Sequence, residues 1–236
     1  MIDVVDSDPI DTVIDGVLDY VSARPSQEVH ISLTGGRAGL VITERLLDAL
    51  GHNRFVHLWW SDERFVPLDH ADRTAPNTSG RDLQCHIHAI PSSDEVSDVT
   101  ASATAYATTL HKFTTTRFCS DNTLMDICIL SVGPDGHVAS LFPHHQLLDS
   151  TAGVASITDS PKPPAERVTW TYPTINASRE VWLVAIGEEK AEAVSALRHG
   201  ADFHDIPAAG VHGKIATRLF TDIPLQSMSN KRLWST

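Results

Sequence analysis

The sequence predicts an α/β fold, a mostly parallel β-sheet flanked by helices. Short apolar runs rich in β-branched and aromatic residues alternate with windows whose apolar residues recur at helical spacing, the rhythm of strand–helix–strand units. The run at 125–132 is apolar almost without interruption, as a strand buried on both faces must be. Three runs end in Gly-rich or charged segments at 34–37, 61–64 and 133–137. In an open parallel sheet the carboxyl ends of strands line one crevice, so these three segments are expected to converge.

The first run, Val29 to Leu33, closes at Thr34, Gly35 and Gly36, and Ile42, Leu46 and Leu50 then mark a helix over 38–50. The second run, 55–60, stops at the charged segment 61–64, here read as a polar turn. Residues 67–80 carry Pro, Asp, Asn, Ser and Gly and read as a loop, followed by a helix over 100–113. The third run, 125–132, ends in Gly133, Pro134, Asp135, Gly136 and His137. Residues 158–166 form the best linker candidate; a strand over 180–186 and a helix over 188–197 follow. The rhythm resumes after 166, which favours a single domain over 1–236.

The chain has 236 residues, 42% hydrophobic and 20% charged, enough apolar surface to exclude a largely disordered chain. Thirty acidic residues against 18 basic ones give a formal charge of −12. That surface repels a phosphate backbone and argues against nucleic-acid or anionic-membrane partners. A phosphorylated small substrate must therefore meet a local cluster of Arg and Lys. Cys85, Cys119 and Cys128 form an odd set without a CxxC pair, which fits a reducing, cytoplasmic setting better than a disulfide framework. The acidic start lacks the basic and apolar regions of a secretory signal, and no apolar stretch reaches the length of a membrane span.

Chemistry concentrates at the strand ends. Thr34, Gly35 and Gly36 precede a helix, so backbone N–H groups can approach an anion closely, and Arg37 adds a full positive charge. No Gly-Lys-Ser/Thr follows, so this is not a Walker A loop. Asp62, Glu63 and Arg64 offer a carboxylate for base or orienting work and a guanidinium that forks onto phosphate or carboxylate. Asp135 and His137 sit on a tight turn where a carboxylate can set the tautomer of an imidazole base. Arg167 and Lys190 offer further charge to a phosphate. Thirteen histidines raise the question of a metal, yet the groups at 85–88 and 144–145 lack the paired spacing of a zinc site, and there is no HExxH. A GxSxG serine is also absent.

In this order the motifs resemble the glucosamine-6-phosphate isomerase/6-phosphogluconolactonase family. The resembling segments are SLTGG (32–36), WWSDERFVPLDHADRTAPN (59–77), MDICILSVGPDGHVASLFP (125–143), RVTWTYPTIN (167–176), VWLVAIGEEKAEAV (181–194) and IPAAGV (206–211). The resemblance implies a Rossmann-like sheet, similar to that of glucosamine-6-phosphate deaminase and ribose-5-phosphate isomerase. It also implies hydrolysis of 6-phospho-D-glucono-1,5-lactone to 6-phospho-D-gluconate in the oxidative pentose phosphate pathway, without metal or organic cofactor. His137 would be the base acting on water, with Asp62 and Asp135 as orienting or proton-handling groups. Thr34, Gly35 and Gly36 would hold phosphate with Arg167 and Lys190, and Arg64 would serve the phosphate or the lactone end.

One departure stands out: the family continues the Gly-Gly turn with Ser-Thr-Pro, whereas Arg37, Ala38 and Gly39 follow here. Two hydroxyl donors are replaced by a guanidinium. The expected partner is a small phosphorylated lactone, and the expected state a monomer or weak homodimer. An amino-sugar-phosphate deaminase or isomerase and a non-catalytic sugar-phosphate sensor are the alternatives. Arg64 and the segment 139–143 look more like the lactonase branch, and the acidic leader is too short for the DNA-binding module that accompanies such sensors.

Overall fold

The computed structural model describes residues 2–6, 8–117 and 123–224; Cys119 lies outside the described residues. Among them the chain runs β1 (Ile2–Asp6), α1 (Pro9–Ser22), β2 (Val29–Leu33), α2 (Gly36–Leu50), β3 (Val56–Trp60), β4 (Asp62–Arg64) and β5 (His86–His88). It continues with α3 (Val99–Arg117), β6 (Ile127–Ser131), β7 (Val154–Ile157), β8 (Arg167–Trp170) and α4 (Tyr172–Ile175). The last elements are β9 (Glu180–Ala185), α5 (Ala191–Arg198) and β10 (Ala216–Thr221). The described cysteines, Cys85 and Cys128, are buried thiols, and no helix of the described residues is long and apolar enough to cross a membrane.

The main sheet has seven strands in the order β1–β10–β9–β6–β2–β3–β5, and each pairing is parallel. Every residue of β2, β3 and β9 is buried, so these strands are covered on both faces, as their apolar runs require. From β2 the chain adds β3 on one side and later returns to add β6 on the other. The sheet therefore has its topological switch point between β2 and β6, where open α/β sheets place their crevice.

The acidic leader holds β1 and α1, which the sequence reading left without an element. Helix α1 buries Val13, Ile14, Val17 and Val21 and starts at a cap, Asp8, whose side chain accepts from the N–H groups of Ile10 and Asp11. Its acidic residues Asp11, Asp15 and Asp19 lie on the exposed face, which is why they masked the helix in a reading by composition.

A second, three-stranded antiparallel sheet has the order β4–β8–β7. Segment 61–64, expected as a turn, is instead the strand that starts this sheet: pairing with β8 overrides the poor strand propensity of Asp and Glu. Ser61 joins the two sheets, donating its N–H to Leu33 O at 3.1 Å and accepting from Trp170 N at 2.7 Å. The expected linker at 158–166 is a loop between β7 and β8, two neighbours of one sheet. The expected helix at 188–197 is a 3-10 turn, Glu188–Lys190, leading into α5.

Alternation along β4 points Asp62 and Arg64 to one side and Glu63 to the other. Glu63 is 1% exposed, and it holds the 67–80 loop against the core. Its Oε1 accepts from Arg64 N at 2.9 Å and Thr74 N at 2.8 Å, and its Oε2 from Ala75 N at 2.7 Å. Burial pushes its carboxyl above the usual range, while Arg73 and these N–H groups pull it back. Replacing Glu63 by Gln sets an amide N–H against a backbone donor in a site closed to water. Urea denaturation of Glu63→Gln is expected to show a loss of about 2–3 kcal/mol; unchanged stability would mean that the loop is held elsewhere.

Candidate active site

At the switch point the β2–β6 ladder opens beyond the rung Ser32–Cys128. Thr34 replaces the next ladder bond, its Oγ1 accepting from Ser131 N at 2.9 Å. Around this opening lies a cleft of about 800 Å³. Helix α2 starts there at Gly36, whose φ of +77° suits glycine, with Gly35 as cap and, among the described residues, no side-chain cap hydrogen bond. Thr34, Gly35, Gly36 and Arg37 all line the cleft, which therefore has the positive end of a helix dipole along one wall. Arg37 itself is engaged at the rim: its side chain is 94% exposed and its Nη2 lies 3.1 Å from Glu189 Oε1.

The opposite strand end carries the turn at 133–137, closed by Gly133 N to His137 O at 2.9 Å and Gly136 N to Gly133 O at 2.9 Å. Within it, His137 Nδ1 lies 2.5 Å from Asp135 Oδ1. A Cβ at position 133 would stand 1.9 Å from His137 Nδ1, so glycine there is a condition of the pair. His137 lines the cleft and Asp135 stands behind it. Since the carboxylate faces Nδ1, Nε2 is the nitrogen left to exchange a proton with a ligand.

Just after the turn, Ala139 has φ +49°, a strain of about 1–3 kcal/mol for a residue with a Cβ. It is sustained by Ser140, which donates its N–H to Thr169 Oγ1 at 3.1 Å and its hydroxyl to Asp62 Oδ2 at 2.7 Å. Asp62 is buried but lines the cleft, and the segment that carries His137 thus also orients Asp62.

The second sheet contributes the cations. Arg64 and Arg167 stand directly opposite each other across the β4–β8 ladder, and both line the cleft. Like charges so placed repel; Asp62 offsets this at Arg167, and a bound anion would add to that relief. Arg64 Nη1 donates to Asp72 O at 2.6 Å. Arg167 donates Nε to Pro164 O at 3.1 Å and Nη2 to Lys162 O at 2.9 Å. Burial pushes the Arg167 guanidinium down; Asp62 pulls it up and Arg64 pushes it further down. Lys190, in the turn after β9, also lines the cleft, and burial lowers its ammonium from the usual value, with Glu189 acting the other way.

Nine of the eleven residues singled out from the sequence therefore share one cleft: Thr34, Gly35, Gly36, Arg37, Asp62, Arg64, His137, Arg167 and Lys190. Asp135 touches it through His137, and Glu63 points to the other side of β4. The sequence reading missed Lys162, whose Nζ lies 3.1 Å from Asp135 Oδ2 and 3.1 Å from His137 Nδ1. It sits among prolines in what read as a linker, so no local pattern marked it. Thr74 was missed too; it reaches the cleft through the loop that Glu63 holds.

The metal reading falls elsewhere. Among the described residues, Glu28, His30 and His57 bring ligand atoms within 4.8 Å of one another. The two histidines belong to a stack of imidazoles across β2, β3 and β5, with His30–His57 ring centroids at 4.2 Å and His57–His86 at 4.3 Å. Trp59 Nε1, which can only donate, gives its hydrogen to His30 Nδ1 at 3.1 Å. That leaves the proton of neutral His30 on Nε2, the atom a metal would need bare.

Burial raises the Asp135 carboxyl, but the hydrogen bonds and charges of His137 and Lys162 outweigh it and hold the group well below the usual carboxylate range. A carboxyl held low in the folded state stabilises the fold above its unfolded pKa and loses that contribution as pH falls through the lower folded value. Asp135→Asn is therefore expected to lower stability at neutral pH by about 1 kcal/mol, the partners being partly exposed and screened. The gap from wild type should close below about pH 4, as read by urea denaturation across that range; a gap independent of pH would contradict the assignment.

A model of the family described as glucosamine-6-phosphate isomerases/6-phosphogluconolactonase matches residues 11–220. The chain is 36% identical over 236 residues to the 6-phosphogluconolactonase of Streptomyces coelicolor, an alignment covering 94% of this chain and 89% of that protein. It is 39% identical over 204 residues to the 6-phosphogluconolactonase of Mycobacterium tuberculosis, covering 81% of each. Among solved structures, the 6-phosphogluconolactonase of Thermotoga maritima has the same fold, with a TM-score of 0.77 at 24% identity over 94% of this chain and 98% of that one. The chain belongs to the glucosamine-6-phosphate isomerase/6-phosphogluconolactonase family.

Proposed function

We propose that the chain is a 6-phosphogluconolactonase, a cytoplasmic hydrolase that opens 6-phospho-D-glucono-1,5-lactone to 6-phospho-D-gluconate with His137 as general base. The observation that carries this reading is a carboxylate–imidazole pair, Asp135 and His137, at one cleft with two facing arginines, a lysine and the N-terminus of helix α2. The first group can activate water; the rest can hold a dianion. The names borne by relatives that align over most of this chain support the same substrate.

In the reaction His137 Nε2 takes a proton from water as the water oxygen attacks C1. Asp135, held ionised by two donors, orients the ring and stabilises the imidazolium without taking the proton. The tetrahedral oxyanion then collapses, the bond from C1 to the ring oxygen breaks, and the imidazolium returns the proton to the departing oxygen. Arg64, on the cleft side of β4, faces developing negative charge at the lactone end. Asp62, with Oδ2 committed to Ser140, keeps an oxygen to accept from a sugar hydroxyl. Lys190 and the α2 N-terminus take the phosphate, whose binding is remote from C1 and orients the lactone. Arg167 has a double part, since its guanidinium also fixes the 162–164 loop.

The test is a pH-controlled assay on freshly generated 6-phosphogluconolactone, corrected for spontaneous hydrolysis. His137→Ala is expected to lower kcat by about 10²–10⁴-fold; wild-type turnover in the folded variant would remove the base assignment. Lys190→Ala should raise KM for the phosphorylated lactone about tenfold or more while sparing kcat, and should leave hydrolysis of unphosphorylated gluconolactone unchanged. An equal loss on both substrates would take Lys190 out of phosphate binding.

A further inference from the structure

The geometry points to Lys162 as a positioning residue that fixes the proton of His137 on Nδ1 and keeps Nε2 open as the base. The inference rests on the proposed role of His137 and extends it to a residue outside the cleft lining.

An ammonium has three donors and no acceptor, and a carboxylate only accepts. Lys162 Nζ lies 3.1 Å from Asp135 Oδ2 and 3.3 Å from Oδ1, while His137 Nδ1 lies 2.5 Å from Oδ1. If Nδ1 carried a lone pair, it would face Oδ1 acceptor to acceptor at that distance. With the proton on Nδ1, both contacts are donations to one carboxylate. Asp135 is then held ionised by two donors, which makes it a poor acceptor for the proton that His137 receives from water.

The ammonium also stands 3.1 Å from Nδ1 itself. A cation there opposes a second positive charge on the imidazole ring and so favours return of the proton to the leaving oxygen. Asp135 acts in the opposite sense. The opposed charges act on the two halves of the ring's cycle, Asp135 as it takes the proton and Lys162 as it gives the proton back.

Lys162 is placed for this by its own backbone. Its N–H reaches Ser160 Oγ at 3.3 Å and its carbonyl accepts from Ser160 Oγ at 2.9 Å and from Arg167 Nη2 at 2.9 Å. Arg167 also holds the next two carbonyls, of Pro163 and Pro164. The arginine that lines the cleft is thus also the anchor of the loop that brings the lysine to Asp135. The Lys162 side chain is 43% exposed, so its replacement does not open the core.

The experiment is the pH dependence of kcat/KM for wild type, Lys162→Met, Lys162→Arg and His137→Ala, from about pH 5 to about pH 8, on phosphorylated and unphosphorylated gluconolactone. Lys162→Met is expected to move the acid limb about one pH unit upward and to lower kcat near pH 6 about tenfold on both lactones. KM should stay within about twofold, and Lys162→Arg should restore the limb, since guanidinium keeps the charge. An unmoved limb with His137→Ala inactive overturns the inference and leaves the base assignment standing. A loss confined to the phosphorylated lactone also overturns it, making Lys162 a phosphate ligand. Full activity of His137→Ala overturns the reading on which the inference rests.

Discussion

The contact between the Asp135 carboxylate and His137 Nδ1 sets the demands that the rest of the cleft meets. It needs a turn so tight that position 133 has no room for a Cβ, and a carboxylate that stays ionised although partly buried. The turn hangs from the end of β6, a strand buried along Ile127 to Leu130. Its partner across the opening, Thr34, ties the end of β2 to the end of β6 by a side chain where the ladder stops. Fold and site are linked at that point. The same opening that ends the β2–β6 pairing gives the ligand its crevice.

Charge in the cleft runs against the charge of the whole. The chain carries a formal −12, yet Arg64 and Arg167 face each other across a two-strand ladder. Burial costs Arg167 its hydration, Asp62 offsets the repulsion from Arg64, and the surrounding structure holds both guanidiniums in place, with Asp72 O and the carbonyls of the 162–164 loop accepting from them. An anion in the cleft removes the repulsion. The geometry is built for binding at some cost to the unliganded fold, a trade expected where function and stability compete.

Much of this was legible in the sequence because local chemistry carried it. The buried strands β2, β3, β6 and β9 announce themselves as apolar runs, and the 133–137 turn by its glycines and proline. What was hidden depended on partners far along the chain. β4 reads as a charged turn until β8 lies beside it, and α1 reads as an acidic leader until its buried stripe meets α2 and β10. Lys162 is separated from Asp135 by 27 positions and shares no motif with it. Ser140 stood inside a quoted motif, but its role appears only when Asp62, 78 positions away, accepts its hydroxyl.

The central claim is that base and cations hold opposite ends of one sugar in a single cleft. A crystal structure with 6-phosphogluconate bound tests it most directly. The account predicts the C1 carboxylate within hydrogen-bond reach of His137 Nε2 and the phosphate on Lys190 and the first N–H groups of α2. A product seated the other way round, its phosphate against His137, would contradict it.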